Sequence, residues 1–157
     1  MPKLAPTDET FLATAPKRFE RTFAIARPAA AVWEDLTRDG TLDWCRALGS
    51  GAQWTSPRPF GVGTTRTARV LGLLAVQERY VVWEEGRRKA FVGESINVPI
   101  LKRIAEDYVV EPDGEGACRF TWTVAVEASA VGKPGAPLNA AIFGSLFKDT
   151  AKHYGVA

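Results

Sequence analysis

Between residues 18 and 25 apolar and polar side chains alternate: Phe19, Arg21, Phe23 and Ile25 share one face, and Arg18, Glu20, Thr22 and Ala24 share the other. A period of two with aromatic and β-branched residues predicts a half-buried strand. Pro28 then supplies a fixed φ for a helix start, and Val32, Trp33 and Leu36 fall on one stripe of the helix-compatible run 29–36. Asp39-Gly40 ends it, and a second short helix is predicted around 41–47, carrying Leu42, Trp44 and Cys45. From residue 50 to 127 the strand period takes over, with predicted strands at 52–56, 63–71, 74–84, 89–95, 103–111 and 117–127. The breaks between them are rich in Pro, Gly, Asn and Asp, as at Pro57 to Gly61, Glu85-Gly86-Arg87, Asn97-Val98-Pro99 and Pro112 to Gly116. After a last break at 132–137, residues 137–153 predict one long helix. In it Leu138, Ile142 and Leu146 step by four, beside a second stripe of Phe143, Phe147 and Tyr154. Strands in one run with helices set apart predict an α+β fold, with the wide apolar face of the long helix against a curved antiparallel sheet.

Composition changes this picture little. The chain has 157 residues, 46% hydrophobic, 24% charged and 10% aromatic, which fits one globular core and excludes wholesale disorder. Residues 1–16, with three prolines, read as an N-terminal arm pinned by Phe11 and Leu12, and residues 17–157 as a single domain. The net charge of +2 gives no reason to expect a nucleic-acid partner, and the densest basic cluster, Arg87-Arg88-Lys89 beside Glu84 and Glu85, reads as a solvated turn. No apolar run is long enough for stable membrane insertion. The two cysteines, Cys45 and Cys118, and the one histidine, His153, stand apart, so neither a metal site nor a cofactor is expected. With no apolar leader before Pro16, the expected location is the cytoplasm. Gly61-Val62-Gly63 lacks a following helix and reads as strand entry rather than a phosphate loop.

The order of these elements resembles the START-like (SRPBCC) superfamily of helix-grip proteins, and within it the polyketide cyclase/dehydrase group. The segments that carry the likeness are ARPAAAVWEDLTRDGTLDW (26–44), FGVGTTRTARV (60–70), LAVQERYVVWEEGRRKAF (74–91) and EDYVVEPDGEGACRFTWTV (106–124). The resemblance implies a seven-stranded antiparallel sheet wrapped around the C-terminal helix, with two short helices after the first strand and a cavity between sheet and long helix. It carries over no catalytic motif, because proteins of this fold include carriers, receptors, cyclases and co-chaperones.

On strand 74–84 the face with Val76, Glu78, Tyr80 and Val82 is expected to point into that cavity, and Gln77, Arg79, Val81 and Trp83 away from it. Glu78 in an apolar cavity has the raised pKa of a general acid or base; the alternative is a cross-strand ion pair with Arg66 or Arg69. Tyr108 is the second candidate for chemistry, as a hydroxyl donor to a ligand carbonyl, or else a core tyrosine. Trp44 and Trp54 are expected at the cavity entrance. Tyr80, Phe91, Phe120 and Trp122 from the sheet, and Ile142, Phe143, Leu146 and Phe147 from the helix, complete the lining, unless these large rings fill the cavity instead. Three functions follow: a carrier of a small hydrophobic, lipid-like or aromatic polyketide-like molecule; a cyclase/dehydratase-type enzyme using Glu78; and a co-chaperone-like interaction module. Either a monomer or a homodimer is compatible with all three.

Overall fold

The computed structural model describes residues 1–157. Seven strands form one antiparallel sheet: β1 (Lys17–Ile25), β2 (Gln53–Trp54), β3 (Thr65–Val70), β4 (Leu74–Glu84), β5 (Arg88–Ile96), β6 (Leu101–Pro112) and β7 (Cys118–Ala128), in the spatial order β1-β7-β6-β5-β4-β3-β2. Strands β2 to β7 follow one another as hairpins. The first strand crosses to pair with the last, Phe23 opposite Phe120 and Lys17 opposite Val126. This is the helix-grip arrangement, with α3 (Ala136–His153) on the concave side.

The two longer helices start where the sequence signals lie. A one-turn α1 (Phe11–Thr14) sits in the N-terminal arm, and α2 (Ala29–Thr37) begins after Pro28 and buries Val32, Trp33 and Leu36. The second short helix after β1 is a single 3-10 turn, Arg46–Leu48, with turns over residues 41–45 and Leu42 at φ 66°. Pro137 falls in the first turn of α3, where its missing N–H leaves no partner wanting.

The concave core joins Phe23, Ile25, Tyr80, Phe91, Tyr108, Phe120 and Trp122 to the α2 stripe and to Leu146 and Phe147 of α3. Only the second half of α3 is gripped. No residue before Leu146 is buried, Ile142 and Phe143 are half-buried, and Leu138 is exposed. The two full-length stripes expected of this helix are therefore correct for its last turns alone. On the convex face a smaller cluster seats the arm: Phe11 and Leu12 pack on Ala90, Val92, Ala105 and Ala125, whose small side chains leave a shallow seat.

Two irregularities decide which side chains enter the core. A bulge between Tyr80 and Val82 shifts the phase of β4, so Trp83 stands opposite Lys89 on the concave face, while Val82 joins the convex cluster. The strict alternation expected of residues 74–84 put these two the other way round, and the extra residue reverses them. The second irregularity is a split between β5 and β6. Their pairing stops at Val92 opposite Ala105, and residues 2–5 lie in the gap: Leu4 N donates to Glu94 O, Ala5 N to Lys102 O, and Ile96 N to Pro2 O.

Candidate functional site

Register brings Arg66 (β3), Glu78 and Tyr80 (β4), Lys89 and Phe91 (β5), Glu106 and Tyr108 (β6) and Trp122 (β7) side by side on the concave face: Arg66 faces Glu78, Tyr80 faces Phe91, Phe91 faces Glu106, and Tyr108 faces both Lys89 and Trp122. Four ionisable groups thus lie inside an aromatic core. Arg66 is 1% exposed, Glu78 3% and Lys89 0%. Arg66 Nε donates to Glu78 Oε2 at 2.5 Å, and Arg66 Nη2 reaches the Tyr108 hydroxyl at 3.4 Å. Lys89 Nζ donates to the Tyr80 hydroxyl at 3.0 Å, and Trp122 Nε1 to Glu106 Oε1 at 2.8 Å. Both cations also face rings. The Arg66 guanidinium lies 5.2–5.8 Å from the centroids of Trp54, Tyr80, Phe91 and Tyr108, and Lys89 Nζ lies 4.0 Å from that of Tyr108.

Burial governs the protonation of this cluster. It lifts the Glu78 carboxyl above its usual range against the opposing pull of Arg66. It raises Glu106 to about 7, with the Glu78 charge adding to the effect. The same desolvation drives the Lys89 amine well below its ordinary value, helped by the charge of Arg66. Burial is the largest influence on Arg66 and opposes its charge, but the attraction and hydrogen bond of Glu78, together with Tyr80 and Tyr108, outweigh it and the guanidinium pKa rises. The cluster therefore combines the Arg66–Glu78 contact with a carboxyl, Glu106, whose midpoint lies near neutrality and an amine, Lys89, whose charge burial disfavours. One polar atom stays unmatched: Arg66 Nη1 is buried with no hydrogen-bond partner.

The predicted site residues separate into three places. Glu78, Tyr80, Phe91, Tyr108, Phe120 and Trp122 come together in this cluster, with Trp54 at its edge between Phe60, Tyr80 and Trp83. Glu78 is paired with Arg66, the partner weighed for it in the sequence, and Arg69 is exposed. Leu146 and Phe147 close the core from α3, Phe147 edge-on to Trp122 at 5.4 Å. Ile142 and Phe143 lie further out, with Phe143 5.1 Å from Phe19. Trp44 stands apart from the cluster. It stacks on His153 at 4.2 Å and donates to Thr150 Oγ1, bracing the carboxyl end of α3. Sequence reasoning missed Lys89 and Glu106 as members of the site, and weighed Arg66 only as an ion-pair partner of Glu78. The Arg87-Arg88-Lys89 run is a solvated turn only at Arg87: Arg88 is half-buried against Asp107, and Lys89 begins the inward face of β5. The signal that places it was present, because Lys89 and Phe91 share strand parity.

The rings of the cluster touch one another, and the largest cavity lies elsewhere. It measures about 920 Å³ and opens beside the amino end of α3, with Phe19, Leu101 and Val126 as apolar floor and Lys3, Lys17, Lys102, Lys133 and Asn139 on its walls. Val126 lies on the same strand face as Val124 and Trp122, so this cavity is the outer end of the space whose inner end holds the cluster. No three His, Cys, Asp or Glu side chains gather to hold a metal ion.

Residues 16–153 match the family described as polyketide cyclase / dehydrase and lipid transport. Uncharacterized proteins of Mycobacterium tuberculosis and Mycobacterium bovis are 32% identical over 125 residues, covering 80% of this chain and 74% of theirs. Among solved structures, a START superfamily protein from Mycobacterium smegmatis superposes with a TM-score of 0.69 at 11% identity, over 88% of this chain and 97% of that one. The major latex-like protein 151 of Panax ginseng superposes with a TM-score of 0.64 at 16% identity, over the same shares. At these identities the structural likeness speaks for the fold alone.

Proposed function

Since the chain belongs to the polyketide cyclase / dehydrase and lipid transport family, we propose that it binds a small, largely apolar molecule, lipid-like or aromatic polyketide-like, between the sheet and α3. The observation that carries this reading is the unmatched Nη1 of Arg66 inside a wall of aromatic rings. A buried charged donor without a partner is costly, and a ligand oxygen is the partner such a site wants. The ligand therefore carries an acceptor, a carbonyl, carboxylate or phenolate, at its inner end, and lies on Tyr108, Phe120, Trp122 and Phe147. Its outer end extends past Phe19 and Phe143 to the open cavity.

The test is native mass spectrometry of the gently purified protein, with extraction of any released compound, on wild type and Arg66→Lys. The lysine keeps a cation for Glu78 but removes the second guanidinium nitrogen. A stoichiometric apolar compound with an acceptor oxygen, retained roughly tenfold less well by the variant, is the expected result, since a hydrogen bond to a charged group contributes about 1.5–3 kcal/mol. Equal retention by both proteins sinks the role given to Arg66.

A second reading, a cyclase/dehydratase-type enzyme, is favoured by the proton-carrying groups beside that donor. Cyclisation of a poly-β-carbonyl chain needs a base to take an α-proton and an acid to protonate the carbonyl oxygen. With Glu78 tied to Arg66, Glu106 is the carboxyl poised near neutrality. On this reading Glu106→Gln abolishes turnover of a poly-β-carbonyl thioester while leaving its binding intact; unchanged turnover removes Glu106 from the chemistry.

A further inference from the structure

Seven large hydrophobic side chains stand exposed on this protein, and all but Val62 are at one end of it. Leu71 and Leu73 form the turn between β3 and β4, Val98 lies in the β5–β6 loop, and Val131 and Leu138 lie in the β7–α3 connection and the first turn of α3. Antiparallel pairing puts these connections on the same side of the sheet, and hydrogen bonds link them. Asn97 Nδ2 donates to Leu73 O at 2.8 Å, Ser129 Oγ to Pro99 O at 2.7 Å, and Ile96 N to Pro2 O at 3.0 Å, which brings Met1 to the same rim. Leu73 and Val131 are each 74% exposed.

The charge of this end is as one-sided as its apolarity. Lys3, Lys17, Lys102 and Lys133, all exposed, surround the mouth of the open cavity, and Arg69 stands exposed beside the β3–β4 turn. The one carboxylate in the cavity lining, Glu127, is already held by Arg103 and by Lys102. At the opposite end the β4–β5 and β6–β7 turns expose Glu84, Glu85, Glu111, Asp113 and Glu115 against Arg87 and Arg119, so the balance there is negative.

We propose that the lysine-ringed end docks on an anionic phospholipid surface, with the apolar loop tips entering the headgroup layer. Separate apolar tips on several loops suit a soft, fluid surface better than a flat protein partner, and lysine stems extend their ammonium groups to lipid phosphates while covering apolar surface. The opposite, acidic end is repelled by the same surface, so the protein approaches in one orientation. No helix is long and apolar enough to cross the bilayer. In this orientation the mouth of the cavity faces the lipid. The docking itself is independent of the ligand reading, because it is measured on the ligand-free surface.

The experiment is flotation of the protein with vesicles of phosphatidylcholine alone and of phosphatidylcholine mixed with phosphatidylglycerol, at low and at raised salt. Binding to the mixed vesicles, weakened by salt and absent with phosphatidylcholine alone, is expected. Leu73→Ser/Val131→Ser and Lys3→Glu/Lys133→Glu each lower the partition roughly tenfold or more. Val62→Ser, at the other end, leaves it unchanged. All three variants change exposed side chains only, and their unfolding midpoints check that the fold is kept. Failure to float with the mixed vesicles, equal binding to both lipids, or full binding by either double variant overturns the proposal.

Discussion

Glu106 makes the stability of this protein depend on pH in a direction opposite to that of most carboxylates. Its pKa is raised to about 7 in the fold from 4.5. Between these values the native state holds a proton that the unfolded chain has lost, so stability falls as pH rises from 4.5 to about 7 and is level above that. About two and a half units correspond to roughly 3 kcal/mol. Glu106→Gln keeps an acceptor for Trp122 Nε1 and removes the titration. The variant is expected to exceed wild type by about that amount above pH 7, with the gap closing towards pH 4.5; urea unfolding across this range checks it. A constant gap would show that Glu106 does not titrate in this window. Lys89 explains why the chemistry of the cluster was only partly legible in the sequence. Its neighbours Arg87 and Arg88 suggest a solvated charge run, whereas its burial is set by the phase of β5 against β4 and β6. The parity it shares with Phe91 hints at this face, but which face of β5 is inward is fixed only by pairing with distant strands.

The elements themselves were largely legible, because each is bounded by Pro, Gly or Asn and carries a clear period. What local pattern does not show is a change of phase within an element. The bulge at Tyr80/Val82 exchanges Val82 and Trp83 between faces and sets Trp83 against Trp33, Trp54 and Phe60. Likewise the apolar repeat of α3 continues into turns that nothing grips, since periodicity reports what a helix can bury and not how far its partner sheet extends. Gly132, read in sequence only as a breaker, has a stricter task. A Cβ there would sit 1.8 Å from Ile100 O and 2.6 Å from its carbon, so the β5–β6 loop and the approach to α3 touch backbone to backbone. Backbone cannot rotate aside as a side chain does. Gly132→Ala is therefore expected to cost about 2–4 kcal/mol in urea unfolding; a loss under about 0.5 kcal/mol would mean that the two loops separate freely.

At the scale of the whole molecule, sheet and helix form one concave core with an open outer end and a packed inner one. A ligand that reaches inward from the cavity must displace aromatic rings of the packed core. If it does so, a long-chain fatty acid at about a hundred times its dissociation constant stabilises the fold by about 2.7 kcal/mol. For a chain of this size that raises the melting temperature by roughly 5–10 °C. No shift with fatty acids of any chain length would show that none of them binds the folded chain. The resemblance in the sequence pointed to such a cavity but not to its division, because how far aromatic rings fill a space depends on their packing and not on their spacing. The position of β1 carries one more consequence. Thr22 and Thr121, whose hydroxyls meet at 2.9 Å, are 99 residues apart, and residues 2–5 wait for β5 and β6 to exist before they have a place to lie. On the ribosome the beginning of this chain is made first and housed last, and β1 finds its neighbour only when β7 has emerged. Until then an aromatic strand and the open edges of a growing meander are left for chaperones to guard.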